Sequence, residues 1–276
     1  MGRAGIVHSL QFTGLINLIT YPLLSAFKEV THFTTTRQGG VSEGSYASLN
    51  LGLYSGDKPE NIKENFSHLG NFTKINPEKI FLPYQTHGDE VLVIDSDFLE
   101  KNKSEQQIEL HGKDALISNQ PNVYMGVSTA DCVPILLYDP VQKAVAAVHA
   151  GWRGTAQLIA GQAIRQMTNA FGCKPENLVG VIGPSISPAV YEVGEELIRP
   201  FGTNGFIIDR IFRHSEGKIQ LDLWQANEDV LVRYGMRQEN IEIACRCTFS
   251  EQDTFFSARR LGIKSGRMIS VIGMGR

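Results

Sequence analysis

The amino-acid sequence predicts an α+β fold in which much of the strand pairing is antiparallel. Short apolar runs bounded by turn residues occur along most of the chain and are typical of buried strands. A few amphipathic stretches with helix start or stop residues interrupt these runs. Because strands and helices do not alternate regularly, we do not expect a parallel sheet built from repeated βαβ units.

The helices are predicted from capping residues and apolar spacing. One helix should begin near Asp57, because Glu60 follows it at capping-box spacing, and should run to about residue 69. Apolar residues at intervals of three and four predict the clearest helix, which follows Gly154 and ends at Gly172. A third helix is expected over 224–234.

The remaining segments are predicted to be strands or surface excursions. The polar stretches 100–113 and 202–218 lack apolar periodicity, so we expect them to be excursions on the surface. The predicted strands are 91–94, 115–117, 123–127, 133–138, 144–148, 179–182, 241–243 and 269–272.

The overall composition is that of an ordinary globular protein. The chain has 276 residues, of which 42% are hydrophobic and 20% charged, and no linker or repeat divides it, so we expect one domain over 1–276. The net charge of -3 gives no basic surface for nucleic acid or for an anionic membrane. No apolar run reaches the ~18 residues of a membrane helix, and no export signal is present, so we expect a cytoplasmic protein with no membrane partner.

The segment from Asp131 to His149 predicts a hairpin that brings two metal-ligating residues together. It consists of a strand, an Asp-Pro turn and a second strand. If Tyr138 faces Lys143 across the turn, Cys132 lies directly opposite His149, and opposed residues share one face of a sheet. A slip of one residue would separate the two side chains.

His87 is the third candidate ligand, because it precedes the strand 91–94 and can reach the same sheet edge from a loop. One thiolate and two imidazoles suit zinc, and three protein ligands leave a fourth position open, as in catalytic sites. Two other interpretations stay open here. Such residues are often structural, and Cys132 with His149 could be a nucleophile and a base that attack an acyl group.

Arginines beside glycine-rich turns are the candidates for binding an anion. His149 is followed by a Gly-Trp-Arg-Gly turn that leads into the best predicted helix, where backbone amides and a guanidinium can bind phosphate. Other polar residues lie beside glycine turns or near the C-terminus, although each could be a solvated surface residue. The candidates are Arg37, Asn50, Arg153, Arg259 and Arg260.

Several sequence blocks together resemble one family. The blocks are Gln85-Thr86-His87, Thr129-Ala130-Asp131-Cys132-Val133-Pro134, His149-Ala150-Gly151-Trp152-Arg153-Gly154, Tyr191-Glu192-Val193-Gly194 and Phe256-Ser257-Ala258-Arg259-Arg260. The sequence resembles the bacterial laccase-domain or polyphenol oxidase family, later reassigned as purine nucleoside phosphorylases, which has a human laccase domain-containing relative. The likeness begins at about Thr31 and leaves 1–30 as a variable N-terminal segment.

The resemblance implies a metal centre with the ligands His87, Cys132 and His149, in a layered α/β/β/α sandwich related to cysteine-hydrolase-like toxin domains. It implies phosphorolysis of adenosine, inosine, guanosine and methylthioadenosine, with some deamination of adenosine. The partners would be a purine nucleoside and phosphate. Zinc is the expected cofactor, copper could replace it in vitro, and we expect a monomer or a weak homo-oligomer.

The resemblance also suggests roles for residues around the metal. Asp131 would transfer a proton or orient Cys132, unless it caps the strand turn. Trp152 or Tyr191 could stack on the purine, unless they belong to the core. The expected ligands of substrate and phosphate are Arg37, Asn50, Gln85, Arg153, Tyr191, Arg259 and Arg260.

Two related activities fit the sequence poorly, and two alternatives stay open. The 7 histidines are too few for a type 1 copper site with a trinuclear cluster, although a single-metal copper polyphenol oxidoreductase remains an alternative. The His-x-Glu and Pro-Cys-x-x-Cys pattern of zinc deaminases is absent, so any deamination would need a different geometry. The other alternative is a Cys–His amide hydrolase, including one that edits peptidoglycan precursors.

Overall fold

The structure, a computed structural model, describes residues 15–275. Strands and helices are both present throughout this range, as the sequence predicts. The strands are β1 (Leu18–Ile19), β2 (Val30–Thr35), β3 (Ile80–Phe81), β4 (Val91–Val93), β5 (Ala115–Ser118), β6 (Tyr124–Thr129), β7 (Val133–Asp139), β8 (Ala144–Ala150), β9 (Val179–Ile182), β10 (Glu192–Val193), β11 (Phe212–Ser215), β12 (Lys218–Leu221), β13 (Ile241–Ile243) and β14 (Met268–Met274).

The helices lie between and beside these strands. The α-helices are α1 (Pro22–Ser25), α2 (Pro59–Thr73), α3 (Ser96–Glu100), α4 (Lys103–Leu110), α5 (Trp152–Ala156), α6 (Ile159–Phe171), α7 (Ile198–Thr203), α8 (Ile208–Ile211), α9 (Leu223–Arg233) and α10 (Ala258–Leu261). Short 3-10 helices cover Gly44–Tyr46, Pro77–Lys79, Pro175–Asn177, Glu195–Leu197 and Gln238–Asn240.

The strands form three sheets, in which most neighbours are antiparallel. The five-stranded sheet has the order β1-β2-β14-β6-β3, and the six-stranded sheet has the order β13-β9-β7-β8-β5-β4. A small antiparallel sheet has the order β10-β12-β11. Only β3 with β6, β4 with β5, and β9 with β13 pair in parallel among the described strands. The predicted α+β class with largely antiparallel pairing is therefore confirmed.

The two large sheets pack face to face, and helices cover their outer faces. Between the sheets, Leu136 of β7 lies in one buried cluster with Met125 of β6 and Ile272 of β14. On the far side of the six-stranded sheet, residues of β7 and β8 pack against Ile164 of α6 and against α9. Leu69 of α2 packs with β2 and β14 on the far side of the five-stranded sheet. The layers therefore follow the order α/β/β/α.

Every predicted strand is present, and the predicted helices differ from the structure mainly at their starts. Helix α2 begins at Pro59 without a side-chain cap, because the Asp57 carboxylate accepts a hydrogen bond from the Lys58 backbone amide instead. The helix expected after Gly154 is divided, since Leu158 adopts a left-handed φ of 64° between α5 and α6. Gly172 ends α6 as predicted.

The two predicted surface excursions contain regular structure. The stretch 100–113 includes α4, where Asn102 and Glu105 form a capping box. The stretch 202–218 includes α8 and β11. Strand β2 was also not predicted, because its Val-Thr-His-Phe-Thr-Thr sequence has few apolar residues although most of it is buried. Strand β2 acquires its structure from tertiary burial that local hydrophobicity does not reveal. Helix α4 and strand β11 are mostly exposed, so their few apolar residues gave no periodic signal.

The β7–β8 hairpin forms as predicted, but its register is different. Tyr138 pairs with Val145 and not with Lys143, because the strands meet at Asp139 and Ala144. Lys143 has a φ of 52° and belongs to the turn. The prediction of a Tyr138–Lys143 pair was therefore wrong by two positions.

The displaced register keeps the two predicted ligands on the same side of the sheet. His149 pairs with Pro134, so Cys132 lies diagonally from His149 and just before β7 begins. Because side chains alternate between faces with a period of two, a displacement by two positions leaves Cys132 facing the same side. Diagonal neighbours of this kind still lie within side-chain reach.

No helix within residues 15–275 combines the length and the apolar character that crossing a membrane requires.

Leu136 provides a test of the packing between the sheets. Its side chain is 1% exposed, so replacement by alanine should leave a cavity and lower the free energy of unfolding by about 2–5 kcal/mol. Val141→Ala, in the turn of the same hairpin at 62% exposure, should change it by less than about 0.5 kcal/mol. Urea unfolding followed by circular dichroism measures both. Equal losses in the two variants would contradict this packing.

Candidate metal centre

Three metal-ligating side chains meet where the hairpin and a neighbouring loop converge. His87 lies on the loop between β3 and β4, Cys132 lies directly before β7, and His149 lies in β8. One ligand atom from each residue lies within 4.8 Å of the others, and the two imidazole rings have centroids 4.8 Å apart. Within residues 15–275 this is the one cluster of at least three such side chains that could hold an ion. The predicted ligand set is thus brought together in space.

The buried carboxylate of Asp114 orients one of these ligands. Its Oδ1 atom lies 2.7 Å from Nδ1 of His149, and neither side chain is appreciably exposed. The hydrogen bond leaves Nε2 of His149 for the thiol of Cys132 or for a metal ion. A carboxylate on the far nitrogen fixes the tautomer and the ring orientation of a metal-ligating histidine.

The same carboxylate also holds the loop that carries His87. The backbone amides of Thr86, His87 and Gly88 donate to Asp114 at 3.1, 3.0 and 2.8 Å. His87 itself has a φ of 62°, a left-handed conformation that a non-glycine residue rarely adopts. One side chain therefore fixes two of the three ligands. Sequence reasoning missed Asp114, whose signal was a lone acidic residue directly before a fully apolar strand.

Gly151 leaves room for the ligands to meet. A Cβ atom added at this position would lie 3.0 Å from Sγ of Cys132, 3.1 Å from Cδ2 of His87 and 3.8 Å from Cε1 of His149. These three contacts belong to the three candidate ligands. Any side chain at 151 would therefore occupy the space between the donor atoms.

The charges of the three buried groups are coupled. Burial would raise the pKa of the Cys132 thiol, but the charge of His149 and hydrogen bonds from both histidines lower it to about 6. Burial would lower the pKa of His149, but Cys132 and Asp114 raise it to about 9. Burial also opposes ionisation of Asp114, yet hydrogen bonding to His149 lowers its pKa. At neutral pH the metal-free site is a thiolate, an imidazolium and a carboxylate in contact.

The donor set fits a borderline-soft divalent ion such as zinc. Such ions bind thiolate sulfur at about 2.3 Å and imidazole nitrogen at about 2.0–2.1 Å, and one ion can reach all three donors from their shared centre. The thiolate is already ionised, Asp114 supports one imidazole, and the absence of a side chain at Gly151 keeps the centre open. His87 is exposed and His149 buried, so the cluster faces solvent from one side.

The cluster lies in the wall of a pocket of about 740 Å³. This volume lies within the about 300–1,000 Å³ typical of small-molecule sites. The lining residues come from many segments, and they include all three candidate ligands. They are Gly52, Tyr54, Ser55, Pro83, Tyr84, Gln85, His87, Ser128, Thr129, Ala130, Asp131, Cys132, His149, Ile186, Tyr191, Ala258, Arg259, Ile263, Lys264 and Arg267.

Three of the predicted substrate ligands line this pocket. Gln85 is one, although its amide is bound to Ser128, donating to the carbonyl oxygen and accepting from the backbone amide at 2.8 Å. The guanidinium of Arg259 covers the ring of Tyr191 at 5.2 Å and donates to the Glu192 carbonyl. Burial and the Cys132 charge raise the pKa of Tyr191 to about 12, so its phenol stays protonated.

Four other predicted substrate ligands do not line the pocket. The guanidinium of Arg37 donates to the carbonyl oxygens of Ala47 and Gln252, and that of Arg260 donates to Phe249. Arg153 is exposed, with its guanidinium 4.4 Å from the ring of Trp152. Asn50 is fully buried and joins the loop 50–57 to Arg267. The structure therefore places these four residues outside the pocket wall, which local sequence did not show, and their role toward phosphate or substrate stays a prediction.

Asp131 lines the pocket but is fully engaged by protein donors. Its carboxylate accepts hydrogen bonds from the Thr248 hydroxyl at 2.7 Å, the Ser257 hydroxyl at 3.0 Å and the Arg259 amide at 2.7 Å. Ser257 also caps α10. These contacts join the Cys132 loop to α10, and the predicted role of Asp131 in proton transfer stays a prediction.

Besides Asp114, sequence reasoning missed several residues that line the pocket. Arg267 and Lys264 lie on the wall, and burial lowers the pKa of the Arg267 guanidinium. Tyr54 and Tyr84 lie at the rim, with exposures of 60% and 37%. Arg267 precedes a buried strand, Tyr84 follows Pro83, and Tyr54 lies two positions after Gly52. No local pattern therefore separated them from ordinary loop residues.

The chain matches known proteins over most of its own length and most of theirs. Residues 31–275 match the family described as multi-copper polyphenol oxidoreductase laccase. The chain is 45% identical over 257 residues to a protein of Bacteroides thetaiotaomicron named purine nucleoside phosphorylase, an alignment that covers 92% of this chain and 95% of that protein. It is 36% identical over 260 residues to a protein of an unknown prokaryotic organism named adenosine deaminase RL5, covering 94% and 99%.

A solved structure shares the fold. The crystal structure of the hypothetical protein YfiH of Bacillus licheniformis superposes with a TM-score of 0.86 at 31% identity and covers 96% of this chain and 98% of that chain. The family match begins at residue 31, where the sequence resemblance was also predicted to begin. Residues 15–30 are nevertheless part of the packed structure, since Tyr21 and Leu24 are buried.

Asp114→Asn tests the carboxylate that supports two ligands. The amide keeps the size of the side chain but removes the negative charge beside His149. Zinc affinity should therefore fall by about 10–100-fold. Competition with a chromophoric chelator measures the affinity. Glu90→Gln, an exposed neighbour paired with Lys113, is the matched control and should bind zinc like the parent. An unchanged affinity in Asp114→Asn would show that the carboxylate does not act on the metal.

The coupled pKa values predict how zinc binding depends on pH. Between about pH 6 and 9, Cys132 is already a thiolate while His149 is protonated, so binding must release the His149 proton. Apparent affinity should therefore rise about tenfold per pH unit across this window, and more steeply below it, where the thiol is also protonated. Chelator competition at pH 6.5, 7.5 and 8.5 measures the slope. A zinc affinity that stays constant between about pH 6.5 and 8.5 would disprove the ion pair of Cys132 and His149.

Proposed function

This chain belongs to the family described as multi-copper polyphenol oxidoreductase laccase, and from that membership we propose that it is a zinc-dependent purine nucleoside phosphorylase. The substrates are adenosine, inosine, guanosine and methylthioadenosine, cleaved with phosphate, and adenosine is also deaminated. The names of two relatives, a purine nucleoside phosphorylase and an adenosine deaminase, support an enzyme of purine nucleosides. The observation that carries the proposal is the His87, Cys132 and His149 cluster in the wall of a nucleoside-sized pocket.

His87, Cys132 and His149 would hold the metal ion. When bound, zinc would supply Lewis acidity to an oxygen atom of the substrate or of water. Copper could occupy the same donors in vitro, since the usual affinity order places it above zinc. The 7 histidines and the single cluster within residues 15–275 support one metal site.

Arg259 and Arg267 are the proposed phosphate ligands, in place of Arg37, Arg153 and Arg260. Both line the pocket, and neither forms an ion pair with a carboxylate in the described part of the chain. Arg259 donates from Nη1 to one carbonyl, so its remaining donors are open to an anion. Arg267 is fixed by the carbonyl oxygens of Ser265 and Ile263, and an anion would offset its desolvated charge.

Tyr191 and Asp131 complete the proposed arrangement. The phenol of Tyr191 stays protonated because its pKa is raised to about 12, so it can donate a hydrogen bond to the leaving purine. Asp131 holds the amide of Arg259 and the cap of α10 beside Cys132. Its carboxylate would therefore keep the phosphate-binding wall at a fixed distance from the metal ligands.

Two alternative functions have support from particular observations. Cys132, His149 and Asp114 also form a nucleophile, a base and an orienting carboxylate, the arrangement of a metal-free Cys–His amide hydrolase, including one that edits peptidoglycan precursors. The family description favours a single-metal copper polyphenol oxidoreductase. The hydrolase does not require His87, and the oxidoreductase requires no phosphate. These two requirements separate both alternatives from the phosphorylase.

We further propose that 1–276 is one domain acting in the cytoplasm as a monomer or a weak homo-oligomer. Thiols support a reducing compartment, because the cysteines at 132, 173, 245 and 247 are free. The net charge of -3 supports a small-molecule partner over nucleic acid. The relation to cysteine-hydrolase-like toxin domains stays a prediction that rests on the sequence resemblance.

The assay that tests the proposal compares metal-loaded and chelator-treated protein with inosine and phosphate. Loaded protein should release hypoxanthine and ribose 1-phosphate, and chelation should remove the activity until zinc is restored. His87→Ala should lower the rate by more than about 100-fold, since loss of a ligand should cost at least as much as loss of its supporting group. His214→Ala, an exposed histidine outside the pocket, is the control.

The outcomes distinguish the three functions. If the loaded protein forms no product from inosine or adenosine, the phosphorylase is disproved. If His87→Ala keeps full activity on an amide substrate, the Cys132 hydrolase is correct. Phenol oxidation that requires copper and no phosphate would identify the oxidoreductase.

A further inference from the structure

The pocket rim carries the aromatic rings of Tyr54 and Tyr84, which the proposed chemistry does not use. Among the described lining residues, the tyrosines are Tyr54, Tyr84 and Tyr191. The Arg259 guanidinium covers the ring of Tyr191. His111 stacks on Tyr84 in parallel, with ring centroids 4.6 Å apart and an interplanar angle of 6°. Tyr54 is the most exposed of the three, at 60%.

These rings form a braced stack of Tyr54, Tyr84 and His111. Tyr84 contacts Tyr54 in a T-shaped arrangement with centroids 4.6 Å apart. The backbone of Tyr84 is fixed by hydrogen bonds with Leu110 and Gly112 on either side of His111. The stack therefore has a rigid base, and its outermost ring is the one that faces solvent at the pocket rim.

The loop that carries Tyr54 is also held in place. The Ser55 amide and hydroxyl both donate to the Gly52 carbonyl, and Asn50 donates to the Ser55 hydroxyl at 2.8 Å. Asn50 thus positions this loop, although it does not line the pocket. An aromatic side chain that is exposed yet preordered loses little conformational entropy when a ligand covers it.

We propose that Tyr54, supported by Tyr84 and His111, is the stacking surface for the purine base. The inference rests on the proposed function, because it assigns one end of that pocket to the base. Tyr84 lies three positions before the metal ligand His87, so the stack and the metal cluster belong to one pocket. The neighbouring Ser55 hydroxyl is already engaged with Gly52 and Asn50.

Stacking at this position would read the flat face of the base and not its edge. Every purine presents such a face, and base–aromatic stacking tolerates changes of base. The surface should therefore accept adenine, hypoxanthine and guanine alike. Tyr54 would be a specificity-determining residue that selects aromatic bases as a class.

The test compares Tyr54→Leu, Tyr54→Phe and a control variant of metal-loaded protein. Loss of the ring should raise the KM for adenosine, inosine and guanosine by a similar factor of roughly 5- to 150-fold, while the KM for phosphate and the zinc content stay unchanged. Tyr54→Phe keeps the ring and should stay within about threefold of the parent. Phe72→Leu, an exposed aromatic residue on α2 outside the pocket, is the matched control.

Direct titration of inosine without phosphate separates this inference from the proposed function. If the parent binds inosine and Tyr54→Leu binds it more weakly, the stacking surface is supported even if no turnover occurs. If the parent turns over nucleosides and Tyr54→Leu is unchanged, the inference fails and the function stands. A loss confined to one purine, or a matching change in the phosphate KM, would also overturn it.

Discussion

The contacts of the Asp114 carboxylate determine the geometry of the metal centre. A fully buried carboxylate is costly unless charges and hydrogen bonds compensate it. Here the compensation comes from Nδ1 of His149 and from the amides of Thr86, His87 and Gly88. The hydrogen bonds that compensate this carboxylate therefore hold the strand residue His149 and the loop residue His87 close together. They do so although His87 adopts a left-handed backbone conformation.

The scaffold around this carboxylate is stiff where the ligands are held and open where the substrate would enter. Strands β7 and β8 are buried along their whole length between a helical layer and the second sheet. Most of the pocket wall, by contrast, consists of loops and the short helix α10, joined by Asp131, Asn50 and their partners. Polar side chains that resembled substrate ligands in the sequence thus fix the loops, whereas Arg259, Arg267 and Tyr54 line the pocket.

Much of the architecture followed from local sequence, which also suggested the three candidate metal ligands that the family resemblance implies. The apolar strands and the C-terminus of α6 at Gly172 depend on burial and on a left-handed cap, which neighbouring residues encode. The predicted hairpin placed Cys132 and His149 on one face of the sheet. This placement is correct despite the wrong register, because side chains alternate between the faces with a period of two. Strand β2 escaped prediction because its burial depends on distant segments. Helix α4 escaped prediction because it is mostly exposed and lacks an apolar face, although its capping box is a local signal.

The sequence by itself determined the α+β class and the family, and it predicted the His87, Cys132 and His149 cluster that the fold brings together. Only the tertiary structure decided which arginines face the pocket, since a guanidinium binds whichever carbonyls the fold places near it, as Arg37 and Arg260 do. It also decided which donors surround Asp131, and that Asp114 contacts both the His87 loop and the His149 ring. The role of a carboxylate depends on which groups donate hydrogen bonds to it. The donors to Asp114 and Asp131 are separated from these residues by between 26 and 128 positions along the chain.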